Sequence, residues 1–297
     1  MINLTGLRLA NPTILAAGIL GSTGASLKRI AGLGAGAVVT KSIGPRPCTG
    51  YPNPTMVKID GGFLNAMGLP NPSYQEFKGE LASIKPALQS LGVPVIASIY
   101  GSTPEEFAEV ASGLPADAFE LNVSCPHAGG LTEIGTRTEL VEEVCRAVKR
   151  KVEAPVWVKL TPNVTDIVEI GRSAERGGAD AVVAINTLRG MAIDIESGFP
   201  ILGNRFGGLS GPPIKPVAVK AVYDLYSALE IPVIGVGGIS NWKDAIEFIM
   251  AGASAVEIGS AVYHSLQVFR EIAEGVRKYL ETRNLTLEDI RGIAHRR

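Results

Sequence analysis

Eight short apolar runs distributed along a 297-residue chain constrain its fold more than any other feature. They occupy residues 14–18, 37–41, 95–99, 118–124, 156–160, 181–186, 232–238 and 255–260. Each is close to continuously apolar rather than alternating, which predicts strands buried on both faces, as in a parallel sheet. Helical segments separate them. Thr103-Pro104-Glu105-Glu106 combines a capping threonine, a proline at the first helical position and a glutamate at the third. Residues 137–151 carry Leu140, Val141, Val144 and Val148 at helical spacing, with acids early and bases late. Residues 166–176 run into Gly177-Gly178, and 241–250 stop before Gly252, both in the manner of a helix C-cap. The junctions GLGAGAVV, RGGADAVV, MAGASAVE and, more loosely, GLPADAFE mark a repeated unit that feeds the next strand.

Eight such units predict an α/β fold, a (β/α)8 TIM barrel. The alternative is a doubly wound open sheet, whose dinucleotide fingerprint should follow the first strand. The chain there reads AAGILGSTG, which does not satisfy GxGxxG. Two connections are too long for simple units, 42–71 and 187–211, and make insertions after strands 2 and 6. Both leave the C-terminal ends of strands, where barrel enzymes build active sites and where long ordered loops serve as lids or partner surfaces. No low-complexity linker divides the chain, so a single domain over 1–297 is expected.

Composition narrows the function. With 28 basic and 29 acidic residues the net charge is -1, so neither nucleic acid nor an anionic membrane is expected as a partner. Cys48, Cys125 and Cys145 are odd in number, far apart and without CxxC spacing. That favours a reducing compartment and argues against an iron–sulfur cluster or structural zinc held by this chain alone. MINLTGLRLANPT lacks a basic segment followed by an apolar one, and no apolar run approaches the roughly 18 residues of a membrane span. A cytoplasmic location is the expectation.

Polar residues gather where the expected strands end: Lys41-Ser42, Ser98, Asn122, Ser124-Cys125, Lys159, Asn186-Thr187, Gly237-Gly238 and Gly259-Ser260. Together they form one rim, which is costly to bury without a ligand or a hydrogen-bond network. Gly237-Gly238 and Gly259-Ser260 follow the last two strands, where bare backbone N–H groups cradle a phosphate. Lys41 and Lys159 end apolar strands and call for anionic partners. Cys125, in LNVSCPHAGG, is a candidate nucleophile or general base, with His127 two residues on. Cys145 is expected in the core, Cys48 at a surface or interface, His264 in a structural role and His295 exposed. Trp157 and Trp242 read as packing residues. No GxxxxGK[ST], HExxH or GxSxG occurs.

The motifs KSIGPRPCTGYPNPT, NAMGLPNPS, ELNVSCPH, VWVKLTPNVTDI, AINTLRGMAIDIESGFPILGNRFGGLSGPPIKPVAV, VIGVGGI and AVEIGSAVY span nearly the whole chain. In them it resembles the catalytic subunits of class 1 dihydroorotate dehydrogenases, specifically the two-subunit, NAD-linked 1B type. The resemblance implies oxidation of dihydroorotate to orotate in UMP biosynthesis, with FMN as the cofactor of this chain. It implies Cys125 as the base at C5, hydride leaving C6 for flavin N5, and a catalytic Lys159 beside the flavin. The substrate pocket would comprise Lys41, Asn65, Ala66, Met67, Gly68, Leu69, Asn122, His127, Asn186 and Thr187. FMN would be bound by Gly18, Lys41, Ser42, Ser98, Asn122, Lys159, Ile185, Gly211, Gly237, Gly238, Gly259 and Ser260. FAD and a [2Fe–2S] cluster would belong to a partner subunit that reduces NAD. The implied assembly is a homodimer of catalytic subunits within a heterotetramer. Two positions depart from the family pattern. Ser98 stands where an asparagine commonly touches FMN, and His127 stands where NxSCPN has its last asparagine. A related FMN enzyme acting on another dihydropyrimidine, or a fumarate-using 1A-like enzyme, is the alternative.

Overall fold

The computed structural model describes residues 1–124 and 134–296. Eight parallel strands close into a barrel: β1 (Thr13–Leu15), β2 (Ala37–Val39), β3 (Val95–Ile99), β4 (Ala118–Asn122), β5 (Val156–Leu160), β6 (Ala181–Ala184), β7 (Val233–Val236) and β8 (Ala253–Ile258). Neighbours follow chain order around the ring, and pairing of β8 with β1 completes it. One helix follows each strand: α1 (Gly24–Gly32), α2 (Tyr74–Ser90), α3 (Pro104–Gly113), α4 (Thr138–Lys149), α5 (Ile167–Arg176), α6 (Lys215–Ala228), α7 (Trp242–Ala251) and α8 (Val268–Glu281). The expected (β/α)8 architecture is therefore present, and the open-sheet alternative is excluded.

Local chemistry fixes the helix ends. The Thr103 hydroxyl accepts from the Glu106 N–H at the start of α3. Asn241 and Asp244 form a reciprocal capping box on α7. Several strands end earlier than the apolar runs do. β1 stops at Leu15 and β4 at Asn122, because the following residues leave the ladder to shape the barrel mouth.

Two apolar layers hold the barrel. The outer one lies between strands and helices and includes Phe77, Phe107, Phe248 and Phe269. Each such side chain contributes about 1.5–3 kcal/mol on burial. The inner one fills the barrel with Ile14, Val39, Ile96, Trp157, Val183 and Ile234. An N-terminal hairpin of Ile2–Leu4 and Leu7–Leu9 adds Leu4 and Leu9 to this inner layer. The Trp157 indole donates to the Thr5 hydroxyl at 2.9 Å. The cavity described below opens at the opposite, C-terminal end of this packed interior.

The two insertions join there. Met56–Ile59 and Gly62–Asn65 from the first pair with Gly207–Ser210 and Leu188–Gly190 from the second, in one four-stranded antiparallel sheet. Gly208 lies opposite Asn65. A side chain at Gly208 would run into Thr187, and one at Gly207 into the Asn65 backbone, so glycine is what permits this close approach. No helix among the described residues is long and apolar enough to cross a membrane.

Candidate active site

A cavity of about 660 Å³ opens at the C-terminal end of the barrel, beneath the sheet built from the two insertions. This falls in the size range of small-molecule and cofactor sites. Its floor is Lys159 from β5 with Glu257 from β8. Gly237-Gly238 after β7, Gly259-Ser260 after β8 and Gly211 before α6 form one wall, and Gly18 after β1 lies beside them. Asn65, Ala66, Met67, Gly68 and Leu69 form the lid side with Asn186 and Thr187. Lys41, Ser42, Asn122, Ser124 and Ile185 complete the lining.

Backbone geometry explains the glycines at two places. Gly238 has φ +75°, and a Cβ there would lie 2.8 Å from the Gly211 carbonyl, so this turn folds tightly onto the start of α6. A Cβ at Gly259 would meet only the Ala16 methyl, at 3.6 Å. The backbone there is bare toward the cavity.

The polar lining is cross-linked. Asn186 Nδ2 donates to Asn122 Oδ1 at 3.3 Å, and Asn122 Nδ2 donates to Ser42 Oγ at 3.1 Å. Ser42 Oγ lies 2.9 Å from Ser98 Oγ. Asn65 Nδ2 donates to the Gly208 carbonyl, which ties the first insertion to the second. These amides are therefore oriented before any ligand arrives. In the loop 65–69 the Met67 carbonyl accepts from Tyr51 N–H, and the Gly68 carbonyl from the Cys48 thiol. Cys48, expected at a surface or interface, is thus half-buried and braces this loop.

The electrostatics centre on the two lysines. Burial pulls the Lys41 ammonium below the ordinary lysine value, so an anion placed against it would restore what desolvation removes. Lys159 is buried, with Nζ 2.7 Å from Glu257 Oε2 and 3.5 Å from Glu120 Oε2. Burial by itself disfavours its charge, but the two flanking carboxyls outweigh that and hold it above the ordinary value. Glu120 is pushed well above the usual carboxylate range, first by desolvation and then by the neighbouring Glu257.

Most residues expected at the site meet in this one cavity. Ser98 does not. It is fully buried beneath Ser42 and does not reach the cavity surface, because its side chain points into the barrel interior one layer below. Cys125 and His127 lie outside the described residues. The sequence reading missed Glu120 and Glu257, although a single acid inside the apolar runs AFELN and AVEI was a usable signal. It also missed Asn163 and Arg189, which join the lining, with Asn163 Nδ2 donating to the Thr187 carbonyl. Cys145 is core as expected, its thiol pushed up to about 12 by burial. His295, expected exposed, stacks on Tyr223 at 3.7 Å between ring centroids, and its ring nitrogens face the Ser227 hydroxyl and the Ala251 carbonyl. Among the described residues no group of three His, Cys, Asp or Glu side chains is arranged to hold a metal ion.

The sequence model for dihydroorotate dehydrogenase matches residues 1–280. A protein of Methanocella arvoryzae named dihydroorotate dehydrogenase B (NAD(+)), catalytic subunit, is 64% identical over 296 residues, spanning 99% of this chain and 97% of its own. Proteins with the same name from Methanosarcina mazei and Pyrococcus abyssi are 65% and 54% identical, each covering 99% of this chain and 95% and 98% of their own.

Proposed function

The chain belongs to the dihydroorotate dehydrogenase family, and from that premise we propose that it is the FMN-bearing catalytic subunit of an NAD-linked enzyme. On this reading it oxidises (S)-dihydroorotate to orotate for UMP biosynthesis in the cytoplasm. The observation that carries the reading is one cavity that joins bare-backbone loops after β7 and β8, a buried lysine on its floor, and a cluster of Lys41 with three asparagine amides.

The residues suit FMN. Gly237-Gly238 and Gly259-Ser260, all of which line the cavity, would hold the phosphate. Lys159 would offer its charge to the ring, with Ser42, Asn122 and Ile185 along its edge. Ser98 would act only through the Ser42 hydroxyl that it touches. When bound, FMN supplies the acceptor for the hydride that leaves C6 of the substrate.

The rest of the work falls to this chain's own side chains. Orotate is a planar anion with amide and imide edges. Lys41 would pair with its carboxylate, and Asn65, Asn122 and Asn186 would match its donors and acceptors. Met67, Gly68, Leu69 and Thr187 would close around it. Cys125, the next residue after the lining Ser124, would remove the C5 proton as a thiolate, with His127 on a substrate edge. A cysteine base with an ordinary value of about 8.5 makes activity rise into mildly alkaline pH. Electrons would then pass to a partner subunit carrying FAD and a [2Fe–2S] cluster and on to NAD, within an assembly of two catalytic and two electron-transfer subunits.

The test is an anaerobic visible spectrum of the purified protein before and after L-dihydroorotate. A flavin band that bleaches supports the reading. A flavin that stays oxidised points to another dihydropyrimidine, and a colourless protein that cannot be reconstituted with FMN overturns the reading. NAD and fumarate, each added to the reduced protein alone, distinguish the partner-dependent enzyme from a fumarate-using one.

A further inference from the structure

Beneath the cavity, β4, β5 and β8 each send one ionisable side chain into the barrel interior: Glu120, Lys159 and Glu257. Both glutamates are completely buried and Lys159 nearly so. Three carboxylate oxygens, both of Glu120 and Oε1 of Glu257, have no partner in hydrogen-bond geometry, and Lys159 Nζ reaches Glu120 Oε2 only as an ion pair at 3.5 Å. Two ionised carboxylates facing one ammonium would leave a net negative charge sealed in the barrel, directly under a cavity built for anions. A single proton resolves both problems. Placed on Glu120, it turns an orphaned acceptor into a donor beside orphaned acceptors, and it leaves one ammonium against one carboxylate.

We propose that Glu257 is the positioning residue that fixes the Lys159 ammonium toward the ligand, and that Glu120 completes the layer as a neutral carboxylic acid held in reserve as the alternative counter-ion. The geometry sets the division of labour. Glu257 lies 2.7 Å from Nζ and lines the cavity, two residues before the Gly259-Ser260 loop on the same strand. Glu120 lies 3.5 Å away and does not line the cavity. A lysine stem has four rotatable carbons, so its ammonium stays where its best-placed partner holds it. Removing the Glu257 charge would ionise Glu120 and draw Nζ toward β4. The ligand-facing part of this inference rests on the FMN reading, whereas the protonation of Glu120 does not.

The experiment has two arms on the full chain. In the first, infrared spectra of the ligand-free protein near neutral pH are compared for wild type, Glu120→Gln and Glu257→Gln. The carbonyl stretch of a protonated carboxylic acid is expected in wild type and absent from both variants, since Glu120 ionises once Glu257 is neutral. In the second, FMN affinity is measured by flavin fluorescence. Glu257→Gln weakens it about tenfold, the scale of one misplaced charge-assisted hydrogen bond, and Glu120→Gln by no more than roughly twofold. Glu257→Asp keeps the charge but withdraws the carboxylate, so it retains the acid band while still weakening FMN, and it serves if Glu257→Gln does not fold. An acid band missing from wild type, surviving in Glu120→Gln or surviving in Glu257→Gln overturns the proposal, as does a Glu120→Gln effect equal to that of Glu257→Gln. A protein that shows the expected bands and binds no FMN overturns the flavoprotein reading and the ligand-facing role of Glu257 together, while the assignment of the proton to Glu120 stands.

Discussion

Replacing Lys159 by methionine keeps the volume of the floor and removes its only ammonium, leaving Glu257 and Glu120 sealed together. Breaking a buried pair from one side costs about 3–5 kcal/mol. The alternative to that cost is a second proton on the pair. Keeping a carboxyl protonated at about pH 7, against an ordinary glutamate value of 4.5, costs about 3.4 kcal/mol, from about 1.4 kcal/mol per pH unit. The two routes agree on a loss of about 3 kcal/mol, a large share of the roughly 5–15 kcal/mol of an ordinary fold. The sign is fixed by linkage. The folded variant holds a proton that the unfolded chain releases above 4.5, so its deficit grows as pH rises and shrinks toward zero near that value. Urea unfolding of ligand-free wild type and Lys159→Met at about pH 5, 6 and 7 measures this as a gap widening by about 1.4 kcal/mol per unit. A gap that does not change with pH, or one below about 1 kcal/mol at pH 7, would refute the argument that the pair needs the ammonium.

Gly238→Ala places a methyl 2.8 Å from the Gly211 carbonyl at φ +75°. It should cost about 1–2 kcal/mol of backbone strain and weaken FMN about tenfold or more in a fluorescence titration, with the barrel's circular dichroism unchanged. Gly208→Ala drives a methyl into the Thr187 side chain. It is expected to weaken orotate binding while FMN binding persists, which separate titrations would show. Asp244→Asn removes the charge and one of the two carboxylate oxygens, of which Oδ2 accepts from the Ser240 and Asn241 N–H groups and Oδ1 from the Lys215 ammonium at the start of α7. Burial alone would raise the Asp244 carboxyl, but the Lys215 ammonium and the Ser240 donors hold it below its ordinary 3.8. Its contribution is therefore present above pH 3.8 and lost as pH falls through the lower folded value. The variant should be about 1–3 kcal/mol less stable in neutral urea melts, with the gap closing in acid.

The (β/α)8 order was legible because it is written in short-range signals. Apolar runs, a capping threonine at 103, an asparagine cap at 241 and glycines after helices act within a few residues of each other. The rim was legible for the same reason. A parallel barrel collects all of its strand ends on one face, so Lys41, Asn122, Lys159, Asn186 and the glycine pairs had to meet once the strands were placed. What the tertiary structure alone decided involves partners distant along the chain. Lys159 and Glu257 are 98 residues apart, and Asn65 and Gly208 are 143 apart. No local pattern links either pair. Whether Ser98 faces a ligand or supports Ser42 from below depends on one layer of barrel depth, which a run of apolar letters does not record. His295 found its place by stacking on a tyrosine of α6 rather than by any preference of the tail itself. The sequence by itself determined which elements form and which chemistry they carry to the barrel mouth. Closure of the barrel then decided which charges face one another, because only there does burial remove water and make each ionised group depend on a single neighbour.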